Sequence, residues 1–276
     1  MKTVVENFAP AAFGMVSFQH LNTFEVRSKQ RIPQNAATAI ALIFPYYNNC
    51  TSGGNISAYC AVTDYHHVVM TQLKSICEKL QQKYPDNRFE PFVDSSPIDE
   101  VDMAVKAGLG VKGANTLLIT PQYGSFVFIG EIITDLEWSC ELHEDKGCGD
   151  CGLCRKHCPG GAVQKVKEGD VQYNCIDKEN CASFISQKKQ ELTPQQREIL
   201  KKAATVFGCD ICQKICPHNK NVLAGDPAVV AGNTLFADDV FATVTTENVE
   251  AVYKDRAFGF RGLKVLQRNL EIYNEE

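Results

Sequence analysis

The chain has 276 residues with 33 acidic and 28 basic side chains, a formal charge of −5, and is 44% hydrophobic and 22% charged. That much apolar material excludes a disordered chain and can bury a substantial core, while no apolar run approaches the roughly 20 residues that span a bilayer. The slightly acidic balance gives no global field for nucleic acid, so the 13 cysteines are the informative number.

In chain order, the start from Met1 to Asn7 lacks the apolar run of a secretion signal. A cytoplasmic protein without membrane attachment is expected. Residues 39–44 read as a buried strand stopped by Pro45. Residues 64–82 read as a helix that places Val69, Leu73, Ile76, Cys77 and Leu80 on one face at spacings of three and four. A short strand over 89–93 ends at Asp94. A helix opens after Pro97 and runs over 98–107. Two β-rich runs, 116–119 and 126–133, are separated by Pro121 and Gly124. These elements predict an α/β or α+β layer with a mixed sheet over residues 1–139. Gly108, Gly110 and Gly113 imitate a dinucleotide fingerprint but lie between a helix and a strand, the wrong order for that fold. Glycines there suit either a plain turn or a close backbone approach to a large planar cofactor.

Ten of the 13 cysteines fall between Cys140 and Cys216. This defines a second segment, 140–225, which reads as mostly loop with one clear helix. Thr193 caps it, Pro194 opens it, Gln196 stands at the capping-box position, and it runs to Phe207 before Gly208. The tail, 226–276, reads as one or two helices between residues 246 and 273.

The odd cysteine total argues against a secreted disulfide scaffold and for metal binding. Cys148-x2-Cys151-x2-Cys154-x3-Cys158-Pro159 has the bacterial ferredoxin spacing for 4Fe-4S clusters, in which the fourth cysteine reaches a second cluster. Cys209-x2-Cys212-x3-Cys216-Pro217 is the same run with Val206 in place of its first cysteine. The spacing predicts one cluster on Cys148, Cys151, Cys154 and Cys216. The other takes Cys158, Cys209, Cys212 and either Cys181 or Cys175. Two four-cysteine zinc sites are the alternative, but zinc favours paired cysteines with wider gaps and needs no trailing proline. Cys50, Cys60, Cys77 and Cys140 read as small buried apolar groups.

The segments 92–97 (Phe-Val-Asp-Ser-Ser-Pro), 107–110 (Ala-Gly-Leu-Gly), 113–119 (Gly-Ala-Asn-Thr-Leu-Leu-Ile), 124–126 and 130–135, followed by the two cysteine runs, together resemble the epoxyqueuosine reductase family. The resemblance implies a cobalamin over the N-terminal α/β part, beside a ferredoxin-like domain with two 4Fe-4S clusters. It further implies reduction of epoxyqueuosine in tRNA to queuosine, with reduced ferredoxin or flavodoxin as electron donor. It selects Cys181 over Cys175 as the eighth ligand, since Asp177 precedes Cys181 and Phe184-Ile185 follow it. It makes Asp94 the proton donor and places Asp94, His66, Gly110, Gly113, Asn115, Thr116 and Ser183 at the cofactor.

The chain departs from the family pattern at several points. Ala114 stands where the family has lysine, with Lys112 two residues earlier, and His218 stands for a tryptophan. Asp64-Tyr65-His66 begins like a cobalt-ligand motif but has Val69 where glycine is needed, which suits a cofactor without a histidine ligand. Longer members continue beyond the Arg268-Asn269 pair into helical repeats. Lys254, Arg256, Arg261, Lys264 and Arg268 form a basic run that reads as a phosphate strip or a solvated face. The competing functions are a related corrinoid reductase of a small molecule, such as a halogenated compound, and a ferredoxin-like electron carrier.

Overall fold

The computed structural model describes residues 1–8, 11–47, 54–225 and 243–275. After a short helix α1 (Lys2–Glu6) come strands β1 (Ala12–Ser17) and β2 (Thr38–Pro45), helix α2 (Tyr65–Lys83), β3 (Phe89–Phe92) and helix α3 (Glu100–Lys106). The small hairpin β4 (Val111–Lys112) and β5 (Leu118–Ile119) precedes β6 (Val127–Thr134). The main sheet has the order β1-β2-β6-β3.

All three pairings in that sheet are antiparallel, with Ile40 opposite Ile132 and Phe92 opposite Glu131. This corrects the expectation of a mixed sheet. Strands β2 and β3 run the same way and are joined by α2, as in a parallel crossover unit, but β6 is inserted between them. The result is a split β–α–β arrangement. Every residue of β2 is buried. Helix α2 covers one face with Val69, Leu73, Ile76 and Leu80. Helix α3 covers the other with Met103, Ala104 and Val105, against Ile43, Ile129 and Ile133. Burial on both faces explains why β2 reads as an unbroken apolar run.

Asp64 caps α2 by accepting the His66 N–H. Helix α3 starts later than expected because Asp99 accepts the N–H groups of Val101 and Asp102 and fixes the cap there.

The cysteine-dense segment contains more regular structure than its sequence indicates. Besides α4 (Leu153–His157) it forms a hairpin, β7 (Val163–Glu168) with β8 (Val171–Ile176). Short helices α5 (Ala182–Ile185), α6 (Pro194–Ala203) and α7 (Ile211–Lys214) follow. The capping box at Thr193 and Gln196 is present. Helix α6 ends at Ala204 in the left-handed region rather than at Phe207. Beyond it the Val206 N–H bonds the Asn55 carbonyl, the Ser57 N–H bonds the Phe207 carbonyl and Thr205 Oγ1 donates to the Gly208 carbonyl, so those backbone groups are taken by other partners.

The tail forms α8 (Val249–Val252) and α9 (Leu263–Asn274). Val249, Phe258, Leu266 and Leu270 share one core with Ile56, Cys60, Val206 and Phe207. The tail therefore ties the two earlier segments together. Among the described residues no helix is long and apolar enough to cross a membrane.

Candidate active site

A cleft of about 340 Å³ opens where the C-terminal end of β3, the β4–β5 loop, the start of β6 and the cysteine-dense segment meet. Asp94, Glu100, Cys181, Cys209 and Cys212 all line it. Val101, Leu117, Leu118, Val127, Phe128 and Ile129 give it a largely apolar wall suited to a flat ligand face. Asn115, Thr116 and Ser183 also line it.

Asp94 follows β3 with a left-handed backbone, φ 56°, which a short polar side chain tolerates. Its Oδ2 accepts from the Tyr65 hydroxyl and from His66 Nε2 at 2.8 Å. His66 Nδ1 faces Asp64 Oδ1 at 2.7 Å. Carboxylates only accept, so both ring nitrogens carry protons and the ring is an imidazolium. Burial opposes that charge, but the hydrogen bonds that the ring donates to Asp64 and Asp94 outweigh it and hold His66 up at about 9. The Tyr65 ring stacks on Phe128 at 3.9 Å and on His66 at 4.1 Å, which fixes this corner. His66 thus supports Asp94 and does not itself line the cleft.

Gly110 and Gly113 do not line the cleft either. A Cβ on Gly110 would stand 2.2 Å from the Ile119 carbonyl oxygen, and one on Gly113 2.4 Å from Asn115 Oδ1. Their lack of side chains serves the packing of their own hairpin. Ala114 is buried and donates its N–H to Cys148 Sγ at 3.2 Å. Lys112 pairs with Asp99 at 3.4 Å.

Two groups of cysteines emerge. Cys148, Cys151, Cys154 and Cys216 line one small cavity, closed by Ala114, Asn115 and His218. The His218 ring bonds the Cys148 carbonyl at 2.9 Å. In the other group the Cys209 thiol is raised to about 11 by burial, with Asp210, Cys181 and Cys158 adding. Cys212 is raised to about 12 by burial, with Cys209 and Cys181 adding, against a hydrogen bond from Asn115. Cys175 lies on β8 and lines neither cavity. Among the described residues no three His, Cys, Asp or Glu side chains close around a single metal ion. Four thiols around a shared cavity are the donor set of a cubane cluster. Cys60 and Cys77 are buried within apolar clusters, Cys140 is half-buried, and Cys50 lies outside the described residues.

Two buried polar knots that sequence reasoning missed hold the cysteine loops against the sheet. Asp210 accepts from the Ser57 hydroxyl and from the Ala58 N–H at 2.8 Å. Gln213 Nε2 bonds Tyr46 Oη and the Ser125 carbonyl, while Asn219 bonds Ser125 and the Gln213 carbonyl. Asp210 and Gln213 flank ligand-spaced cysteines, and that adjacency was their only sequence signal.

The expected basic strip is broken. Arg256 is 1% exposed. Arg268 is committed to the carbonyls of Lys188 and Gln190, and Arg261 bonds Gln187 and stacks on Phe260. Lys254 and Lys264 remain on the surface.

Residues 27–95 match the family model described as epoxyqueuosine reductase QueG, DUF1730, and residues 147–219 match a 4Fe-4S double cluster binding domain. The chain is 30% identical over 264 residues to the epoxyqueuosine reductase of Lactococcus garvieae, covering 92% of this chain and 73% of that protein. It is 32% identical over 262 residues to that of Cyclobacterium marinum, covering 92% and 82%. Among solved structures, an epoxyqueuosine reductase with an epoxyqueuosine-modified tRNA-Tyr stem loop superposes with a TM-score of 0.75 at 22% identity, over 99% of this chain and 80% of that one. A reductive dehalogenase whose structure suggests a mechanism for B12-dependent dehalogenation superposes with a TM-score of 0.52 at 15% identity, over 99% and 35%.

Proposed function

The chain belongs to the epoxyqueuosine reductase family, and from that premise we propose how its own residues carry out the reduction of epoxyqueuosine in tRNA to queuosine. One observation carries the reading: an aspartate hydrogen-bonded to an imidazolium lines the same cleft as three cysteines of a double 4Fe-4S domain.

Cys148, Cys151, Cys154 and Cys216 hold one cluster, and Cys158, Cys181, Cys209 and Cys212 the other. The apolar wall together with Asn115, Thr116 and Ser183 would hold cobalamin in the cleft. Both His66 nitrogens face carboxylates, so that ring has no lone pair for a metal, which fits a corrinoid without a histidine ligand. When bound, these groups supply the electrons for opening the epoxide. Reduced ferredoxin or flavodoxin is the donor.

The chain's part is to orient the substrate and move a proton. Asp94 Oδ2 delivers the proton to the epoxide oxygen. The proton is stored one hydrogen bond away on His66 Nε2, from which Asp94 is recharged. The knots at Asp210 and Gln213 keep the thiols and the acid at a constant separation.

The division into an α/β part over 1–139, a cluster domain over 140–225 and a tail from 226 is proposed on the same footing. For tRNA, the surface lysines Lys254 and Lys264 are the phosphate contacts retained from the basic run.

The test reconstitutes both clusters, adds cobalamin, and follows its retention through gel filtration and then conversion of an epoxyqueuosine-containing stem loop by mass spectrometry. Co-elution and conversion are expected. Cobalamin that separates from the protein leaves an electron carrier instead. Retention with turnover only of a halogenated small molecule moves the chain to the dehalogenase reaction.

A further inference from the structure

Taking the oxygen out of an epoxide breaks two C–O bonds, forms one C=C bond and releases water, which consumes two electrons and two protons. Resting on the reading above, the Asp94–His66 couple accounts for one proton. The second needs its own source.

Glu100, the first residue of α3, lines the same cleft as Asp94. Its neighbours are all partnered. Asp99 accepts two backbone N–H groups and pairs with Lys112. Asp102 pairs with Lys106 at 2.8 Å. Glu131 on β6 is fully buried, accepts from the Ser96 hydroxyl, and does not line the cleft. Among the described residues no group hydrogen-bonds or ion-pairs with the Glu100 carboxyl. A half-buried carboxyl facing other carboxylates with no cation of its own is best accommodated as the neutral acid.

We propose that Glu100 carries the second proton of the reaction and passes it from its carboxyl to the departing oxygen. The first proton arrives through Asp94, both protons end on the same oxygen, and that oxygen leaves as water. The two electrons come through the clusters from the ferredoxin or flavodoxin donor. Asp94 relays the proton of His66 and is a carboxylate before and after, Glu100 finishes as a carboxylate, and His66 and Glu100 are reprotonated from solvent.

The charged and titratable groups that face Glu100 agree with this assignment. Asp94 lies at the end of β3, Asp99 on its own turn, Tyr65 on α2 and Glu131 on β6, and the Lys112 cation is spent on Asp99. Burial first, then Asp94 and Asp99, hold the Glu100 carboxyl up at about 8. It is therefore protonated at neutral pH and close enough to neutrality to release its proton.

The test uses the cluster- and cobalamin-loaded enzyme with Glu100→Gln and Glu100→Asp, and an infrared titration of the substrate-free protein. Glu100→Gln should retain iron, cobalamin and its thermal transition. Its kcat should fall about 10²-fold with little change in KM, and the alkaline decline of wild-type kcat near pH 8 should disappear. Glu100→Asp should recover part of the rate. A protonated-carboxyl band that titrates near pH 8 should be present in wild type and absent in Glu100→Gln. An active wild type with an unaltered rate and pH profile in Glu100→Gln overturns the proposal alone, as does persistence of that band in the variant. A loaded wild type that converts no epoxyqueuosine stem loop overturns the functional reading itself, and the proposal with it.

Discussion

His66 Nε2 stands 2.8 Å from Asp94 Oδ2, while its Nδ1 stands 2.7 Å from Asp64 Oδ1. One imidazolium thus joins the capping residue of α2 to the acid at the end of β3. The arrangement requires two elements to meet that are 28 residues apart, and it gives Asp94 both a fixed orientation and a proton reserve.

Asp94→Asn removes the acid without disturbing its frame. Asparagine accepts the left-handed φ of 56° at this position as readily as aspartate does, and its amide oxygen still accepts from Tyr65. Turnover should fall by about 10²- to 10⁴-fold, with iron content and cobalamin retention at wild-type levels. Turnover at the wild-type rate would pass the acid's role to another group in the cleft.

The same imidazolium makes stability depend on pH. Its folded value, about 9, lies above the ordinary histidine value of 6.5. The native state therefore binds the proton more tightly than the unfolded chain. This contribution is complete below about pH 6.5 and is lost as pH rises through 9. With the ring about one-third exposed, solvent screens much of the effect. Melting temperatures measured across pH 6 to 10 should decline in wild type and decline less in His66→Gln. Parallel curves would assign the decline to other groups.

Cys181→Ala should lose about half of the iron, because each cluster needs four thiolates, while Cys175→Ala should keep all of it. Cys181 lines the cleft beside Cys209 and Cys212, and Cys175 lies on the hairpin outside both cysteine groups. Full iron in Cys181→Ala, measured by iron and sulfide analysis, would return Cys175 as the eighth ligand.

Asn269 has a structural duty. Its side chain is fully buried, and Nδ2 donates to the carbonyls of Ser186 at 2.7 Å and Val206 at 2.8 Å. Asn269→Leu leaves both carbonyls without this donor and should cost about 2 kcal/mol. Thermal unfolding of the reconstituted protein should then begin about 5 °C lower, with catalytic constants at low temperature unchanged. An unshifted transition would show that neither carbonyl depends on Asn269.

The sequence alone determined what local pattern and spacing encode. The face of α2, the buried run of β2, the capping box of α6 and the grouping of ligand-spaced cysteines follow from periodicity, capping chemistry and ligand geometry, each set within a few residues. The tertiary structure decided whatever depends on partners distant in the chain. Strand β6 inserts between β2 and β3, so a sheet that reads as mixed is antiparallel, because pairing is settled by long-range packing. Helix α6 stops at Ala204 because residues 55–57 claim the following backbone groups. Arg256 and Arg268 look like a surface strip in one dimension, yet one is buried and the other bonds carbonyls some 80 positions away. The pairing of His66 with Asp94, and the lack of any ion-pair partner for Glu100 among the described residues, arise only when β3, α2 and α3 converge on one cleft, since the charge state of a side chain is set by neighbours in space.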